Sequence, residues 1–491
     1  MLIRLLTAFQ RWRGKPRPGS RLPKGTRVIP FIVAFGFLLE GVDSTGITTA
    51  IPDMAASLKV SPVSLNLAIT AYILSLAVFI PISGWIADRF GARRVFCAAI
   101  AVFTLGSVAC GFANSLPMLI GTRVLQGIGG AMMTPVGRLI LLRTFPREQL
   151  VIAMAYMSIP ALVGPMLGPL VGGALSTYAG WRWIFFINVP LGLLGITLGL
   201  RFVRDTVAPT RTRFDATGFL ICGVALAMFQ FTLENVGKPA IPGIVELAVA
   251  AGAGLCIALY VWHARRRADP VLDLHLFEIR TFRIANVAGL LSRGSMNAVP
   301  FMLPLLLQIG FGYSAIESGA ITFLSSLGAF AVKPVSATLL RNLGFCRLLT
   351  WNAVAGGFGI AGFAMFGPET SHWLLLPYVM AFGVLRTTQF SAINGLGYSE
   401  IPPELLSRSV SLGSVTQQLS NGFGVSVSAA LLQMVSQPGM ALTTADFHKV
   451  FVLMGLFGLT AALGFMRLTP ADGVQVSGHR IRRPHAGPKS A

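Results

Sequence analysis

An all-α, multi-pass membrane protein is the fold class this sequence predicts, on three observations. Of its 491 residues 54% are hydrophobic and only 12% charged, a balance that does not suit a soluble chain of this length. The apolar residues gather in stretches of about 20, the length a helix needs to cross roughly 30 Å of hydrocarbon. Lys and Arg fall almost wholly in alternate connections between those stretches, as expected when every second loop faces the cytoplasm.

Fourteen stretches qualify as transmembrane helices. They are 28–50, 64–84, 94–113, 117–139, 150–176, 181–202, 216–236, 243–263, 283–307, 315–339, 346–366, 372–398, 407–434 and 448–467. With loops assigned alternately to two sides, about 31 of the 39 Lys and Arg share the side of both termini. Lys59, Arg182, Lys238 and Lys449 face the other way, while Arg123, Arg293, Lys333 and Arg386 fall within spans. An odd count would separate the termini and erase this asymmetry. The net charge of +21 therefore reports membrane orientation, and no nucleic-acid partner is expected.

Residues 1–27 mix Leu2, Ile3, Leu5, Leu6, Phe9 and Trp12 with Arg4, Arg11, Arg13, Lys15 and Arg17. They read either as a segment lying on the inner leaflet or as a basic tail that fixes topology. No small-residue cleavage site follows a compact apolar core, so a cleavable signal peptide is not expected.

The first span carries two carboxylates, Glu40 and Asp43, in FGFLLEGVDSTGITTAIP. Three residues apart, they share one helical face. A charge near the bilayer centre costs about 2.5–3.5 kcal/mol on insertion scales, so an acid there needs a partner, a proton or a purpose. Asp43, with Glu40 beside it, is read as the proton-handling group of a transporter. A structural pairing with a buried Arg is the alternative, and both can hold at once.

Span four supplies that Arg in LIGTRVLQGIGGA, where Arg123 precedes Gln126 and Gly127. Arg123 and Asp43 each lie about 10 Å below the outer ends of their helices, at 1.5 Å per residue, so the two can meet. A buried Arg facing a carboxylate lowers that acid's proton affinity and its departure raises it, which is what a proton-coupled cycle requires. In GWIADRFGARR, between spans two and three, Gly84 and Gly91 permit close approach and a tight turn. Asp88 stands there as an anion beside Arg89, Arg93 and Arg94.

Span five, GPMLGPLVGGAL, repeats Gly164, Gly168 and Gly172 every four residues, with Pro165 and Pro169 between them and Gly173 following. Small residues at that spacing make a close packing seam, and the prolines disturb the local backbone. WRWIFFINVPLG opens span six with aromatic anchors for the outer interface. In the second half Arg293 lies near mid-membrane, and Arg386, Gln389 and Asn394 share one span. Arg386 and Gln389 are three apart and are expected on a common face; with Gln126, Arg293 and Asn394 they are candidates for the substrate cavity. For Arg386 the alternative is a buried Arg held by carbonyls or a neighbouring helix. Lys333 lies where it can snorkel.

No phosphate-binding G-x-x-x-x-G-K-[ST] loop is present, the five Cys show no CxxC spacing, and the six His form no metal-ligand cluster. Neither an enzyme, a cofactor nor a metal site is implied, and transport driven by an ion gradient remains.

Several of these motifs resemble known ones. GWIADRFGARR resembles the loop G-x-L-A-D-R-x-G-R-K/R of the major facilitator superfamily, and the Arg123 segment resembles that family's R-x-x-Q-G element. Span five resembles the antiporter signature G-x-x-x-G-P-x-x-G-G. WRWIFFINVPLG and ADPVLDLHLFEIRTF (Ala268 to Phe282) resemble segments of the fourteen-span drug:proton antiporter subfamily, and the likeness covers about residues 30–468. The resemblance implies a six-helix half at 28–202, two inserted helices at 203–268 and a second half at 269–468, between cytoplasmic tails 1–27 and 469–491. It also makes Asp88 part of a cytoplasmic latch, with an acid facing the positive N-terminus of a helix from the other half as the physical account. Three departures stand out. Thr48 replaces the common Asn, Leu67 replaces a Trp near the start of span two, and SATLLRNLGFCR keeps Gly344 but lacks an acid matching Asp88.

The expected activity is proton-coupled export of amphipathic small molecules across the inner membrane by alternating access. Its partners are the substrate, protons and the lipid bilayer, with a periplasmic adaptor left open. Two other readings stay open: an importer of a small anionic metabolite, suggested by Arg293 and Arg386, and a transport-inactive sensor with the same fold.

Overall fold

The computed structural model describes residues 28–60, 64–205, 213–235, 242–435 and 442–479, so the expectations for residues 1–27 and for the end of the C-terminal tail lie outside the described residues. Helix is the only regular structure among those described. A helix satisfies its backbone polar groups within its own segment, which a chain crossing hydrocarbon requires.

The helices run in order as α1 (Val28–Thr49), α2 (Ile51–Leu58), α3 (Asn66–Phe79), α4 (Ser83–Phe90), α5 (Ala92–Gly111), α6 (Leu116–Thr144), α7 (Arg147–Tyr178), α8 (Trp183–Phe186) and α9 (Asn188–Phe202). Then come α10 (Ala216–Asn235), α11 (Gly243–Arg266), α12 (Arg280–Leu305), α13 (Ala315–Ala331), α14 (Lys333–Ala361), α15 (His372–Gly397), α16 (Leu406–Val435), α17 (Thr444–Phe465) and the short α18 (Val474–Ser477). The punctuation is local chemistry. Pro81 sits in a 3-10 turn between α3 and α4, and Gly91, at φ +92°, separates α4 from α5. Gly344, at φ +70°, breaks α14 into two helical segments.

Among the described residues ten continuous helical stretches, some of them joining two of these helices, are long and apolar enough to cross a membrane. Of the remaining long ones, α15 and α16 fall below that standard. In α16 the reason is visible: it buries Ser407, Ser411, Ser414 and Ser420 against protein rather than presenting an apolar surface to lipid.

Packing repeats between the two ends of the chain. α1 lies along α7, α3 along α6 and α5 along α9; correspondingly α12 lies along α16, α13 along α15 and α14 along α17. The pair α10 and α11 packs mainly on itself, with α10 also touching α3 and α16. The buried apolar clusters show where the two groups of helices join. The cluster around Phe96, Leu139 and Phe145 also takes in Phe282, Tyr398, Ile401, Val410 and Val415 from the C-terminal group. At the opposite ends, the cluster around Met54, Leu119 and Phe185 and the one around Phe311, Phe366 and Phe447 each belong to a single group. The groups are thus fused at the end that carries Asp88.

Candidate functional site

Asp43 of α1 is fully buried, and α6 and α9 supply its donors. Arg123 Nη1 donates to its Oδ2 at 2.5 Å, Gln126 Nε2 to its Oδ1 at 2.8 Å and Asn188 Nδ2 to Oδ1 at 3.3 Å. Gln126 and Asn188 also donate to Ser107 Oγ, at 2.7 and 3.2 Å, and Arg123 Nη1 donates to Gln126 Oε1 at 2.6 Å. The guanidinium carbon lies 4.5 Å from the Tyr72 ring centre and 5.8 Å from that of Phe185. Charge pairing, hydrogen bonds and aromatic faces together offset the desolvation of two buried ions. Asn188 and Ser107 escaped the sequence reading. Asn188 stands inside the WRWIFFINVPLG segment, and its polarity amid aromatics was the available signal.

Glu40 does not join this cluster, although the three-residue spacing places it on nearly the same face. It is half-buried, accepts from Thr134 Oγ1 at 2.8 Å, and lines a cavity of about 230 Å³ between the two groups of helices. Phe37, Leu76, Ile80 and Pro135 form the apolar part of that cavity, and Arg138, Ser414, Gln417 and Asn421 add polar groups. Arg138 is the chief omission of the sequence reading. Ending span four at 139 put it at the membrane edge, whereas α6 continues to Thr144 and buries it to 2% exposure. It donates to Gln417 Oε1 at 3.0 Å and Tyr398 Oη at 3.3 Å, both from the C-terminal group.

The other expected cavity residues do not line this space. Gln126 belongs to the Asp43 cluster. Arg293 donates to Asn394 Oδ1 at 2.7 Å, and with it lines a separate small cleft beside Tyr398. Arg386 donates to Asn297 Oδ1 at 3.1 Å, and both guanidinium groups lie about 6 Å from the Phe390 ring, at 6.0 and 5.5 Å. Gln389 turns away from Arg386: fully buried, it accepts from Asn352 Nδ2 at 2.8 Å. The expected common face fails because a step of three residues leaves side chains about 60° apart, enough for α12 to take one and α14 the other. Leu67 is 56% exposed at the start of α3 and outside the cavity lining. The side chains of Thr48, Pro165, Pro169 and Lys333 lie outside the described residues.

At the fused end Asp88 accepts from Arg143 Nη2 at 2.5 Å and from the hydroxyl of Ser407 in the first turn of α16. The carboxylate so faces a helix N-terminus from the other group, where the macrodipole is positive. The basic residues nearest to it in sequence do otherwise. Arg94 and Arg93 pair with Asp205, at 3.0 and 3.9 Å, and Arg89 is exposed. The reason is Gly91: its positive φ turns the chain, sending Arg93 and Arg94 toward the end of α9. Gly84 makes the close contact between groups, donating its N–H to Ser411 Oγ at 2.8 Å; a Cβ there would lie 2.6 Å from the Ser407 carbonyl oxygen.

The glycine seam of α7 faces α1. A Cβ at Gly164 would lie 2.9 Å from the Leu38 carbonyl oxygen, one at Gly168 would overlap Thr45 Oγ1, and one at Gly172 would meet the Gly46 carbonyl oxygen at 2.5 Å. Gly173 points into open space. The seam therefore holds α7 against α1, the helix that carries both acids.

Residues 33–425 match the profile of the Major Facilitator Superfamily. The chain belongs to that superfamily. A protein of Pectobacterium carotovorum provisionally named multidrug resistance protein MdtD is 39% identical over 452 residues, covering 91% of this chain and 96% of its own. One of the same name from Klebsiella pneumoniae is also 39% identical, over 88% of this chain and 91% of its own. Among solved structures, the human organic anion transporter MFSD10 superposes with TM-score 0.65 at 13% identity, covering 90% of this chain and all of that one. The proton:xylose symporter XylE superposes with TM-score 0.61 at 13% identity, over 89% and 94%. At these identities the superpositions establish the all-helical facilitator fold. This major facilitator protein is accordingly a multi-pass membrane transporter.

Proposed function

We propose that this transporter exports amphipathic small molecules in exchange for protons, with Asp43 as the proton-carrying group. The observation that carries the reading is the Asp43–Arg123 contact: a fully buried acid whose charge is balanced by one guanidinium and held by amides from two further helices. Movement of α6 relative to α1 changes that balance, and an acid so placed exchanges a proton as the contact is made and lost. The names of the relatives support drug export as its direction.

In this reading the chain crosses the inner membrane fourteen times with both termini cytoplasmic. Two six-helix halves, 28–202 and 269–468, flank the inserted pair α10 and α11. Asp88, Arg143, Ser407 and Gly84 form the cytoplasmic latch between halves, and its closure corresponds to the state that faces outward. Glu40 lines the substrate path, and Arg293, Arg386 and Asn394 give the second half its polar core. A periplasmic adaptor is a further partner consistent with an exporter.

Asp43→Asn tests the assignment. Inside-out vesicles from cells making the variant should hold it at wild-type level yet accumulate no dye on imposing a proton gradient. Gradient-driven accumulation by Asp43→Asn would remove Asp43 from the role. Loss of dye on energising the wild-type vesicles would instead favour the importer.

A further inference from the structure

We propose that the central cavity binds its substrate through a carboxylate, which Arg138 grips at the inner end of the cavity while the apolar body lies against Phe37, Leu76 and Ile80. This rests on the reading of that cavity as the transport site, and it adds the substrate's charge class.

Charge balance is the starting point. Of the arginines buried between helices, Arg123 has Asp43 and Arg143 has Asp88. Arg138, at 2% exposure, has only a phenol and an amide, and no carboxylate lies within salt-bridge distance of it among the described residues. A buried cation without an anion is costly, and an incoming carboxylate relieves that cost with two parallel N–H···O bonds that a guanidinium is shaped to give. The nearest acid on the cavity wall is Glu40, and Thr134, one turn from Arg138 on α6, already holds it.

The surroundings carry the same sign. Asn421 lines the cavity, and its Oδ1 accepts from Asn297 Nδ2 at 2.9 Å. Asn297 Oδ1 in turn accepts from Arg386, so a chain of oriented amides leads from a second guanidinium to the cavity wall. Arg386 and Arg293 also lack a carboxylate partner among the described residues. Size restricts the ligand further: about 230 Å³ is below the ~300–1,000 Å³ of drug-sized sites, so a small aryl or alkyl monocarboxylate fits.

The grip also links substrate to conformation. Arg138 reaches Tyr398 and Gln417 across the interface of the two groups, and a substrate carboxylate competes for those same N–H donors. Binding therefore withdraws Arg138 from contacts that hold the inner end shut.

The test uses the purified full-length protein without a proton gradient, titrated with phenylbutyrate and with its neutral isostere phenylbutyramide. The wild type should bind the acid about tenfold more tightly than the amide, about 1.4 kcal/mol, with a matching rise in Tm. Gln417→Glu places an internal carboxylate beside Arg138 and should abolish the preference while keeping the fold. Arg138→Gln should abolish it too, and Arg138→Lys should keep part of it. Equal binding of acid and amide, no binding of the acid, or a preference that survives Gln417→Glu or Arg138→Gln would overturn the proposal. Failure of Asp43→Asn to stop export bears on the coupling assignment alone, since this titration involves no gradient.

Discussion

Two kinds of buried arginine divide this transporter. In the N-terminal group Arg123 meets a carboxylate, the Gln126 amide that also holds that carboxylate, and a Tyr face. In the C-terminal group Arg293 and Arg386 make do with Asn side chains and the single ring of Phe390. The first arrangement is a closed ion pair whose two charges depend on one another. The second is open, with positive charge left for something not part of the chain to answer. The closed pair therefore suits proton exchange and the open arginines, to which Arg138 of the N-terminal group also belongs, suit orientation of a ligand, although the helices of the two groups pack in the same order.

The largest effect should come from breaking the closed pair. Arg123→Leu strands Asp43 in a buried site and should cost about 3–5 kcal/mol, read as a large fall in detergent Tm. Adding Asp43→Asn to it should recover most of that loss, and additive losses would show that the two charges do not depend on each other. Arg123→Lys, which keeps charge but loses the fork geometry, should alter the pH dependence of dye export; an unchanged profile would detach the pair from coupling.

Next in size is the join between the groups. Asp88→Ala removes the acceptor of Arg143 and Ser407 and should cost about 1.5–3 kcal/mol of the closed arrangement. The measurement is faster labelling of a cysteine placed on the inner wall of the interface, and unchanged labelling would deny Asp88 the latch.

The seam between α7 and α1 comes third. Gly168→Ala overpacks against Thr45 and should cost about 1–3 kcal/mol, while Gly173→Ala, facing open space, should change Tm little. Equal effects from the two would mean the packing face is misassigned. The smallest effect belongs to the open arginines. Arg386→Met leaves no carboxylate stranded and should cost less than about 1 kcal/mol, in contrast to Arg123→Leu. A loss as large as that of Arg123→Leu would erase the distinction between the two halves.

Much of this was legible before any coordinates. Depth counting along two spans put Asp43 and Arg123 level, because helical rise is constant and both acid and base are too costly in lipid to lack a partner. The glycine repeat likewise announced a close seam, and its fourth-residue spacing named the face. Arg138 was missed for the same kind of reason: hydropathy ends a span where charges begin, so an Arg at the edge looked like one of the topology-setting cations. Only the extra turn of α6, buried under the C-terminal group, distinguishes it. Asp205, far from the latch in sequence, took Arg93 and Arg94, and no spacing rule connects them.

The sequence by itself determined that the chain spans a membrane and roughly where its helices lie, because transfer free energies act on each segment separately. Tertiary structure decided which charge meets which partner, that Glu40 faces a cavity while Asp43 is sealed away, and that Arg386 and Gln389 part company. Those outcomes turn on the rotation and tilt of each helix against its neighbours. A single segment does not contain that information, since side chains 60° apart on one helix can belong to different interfaces.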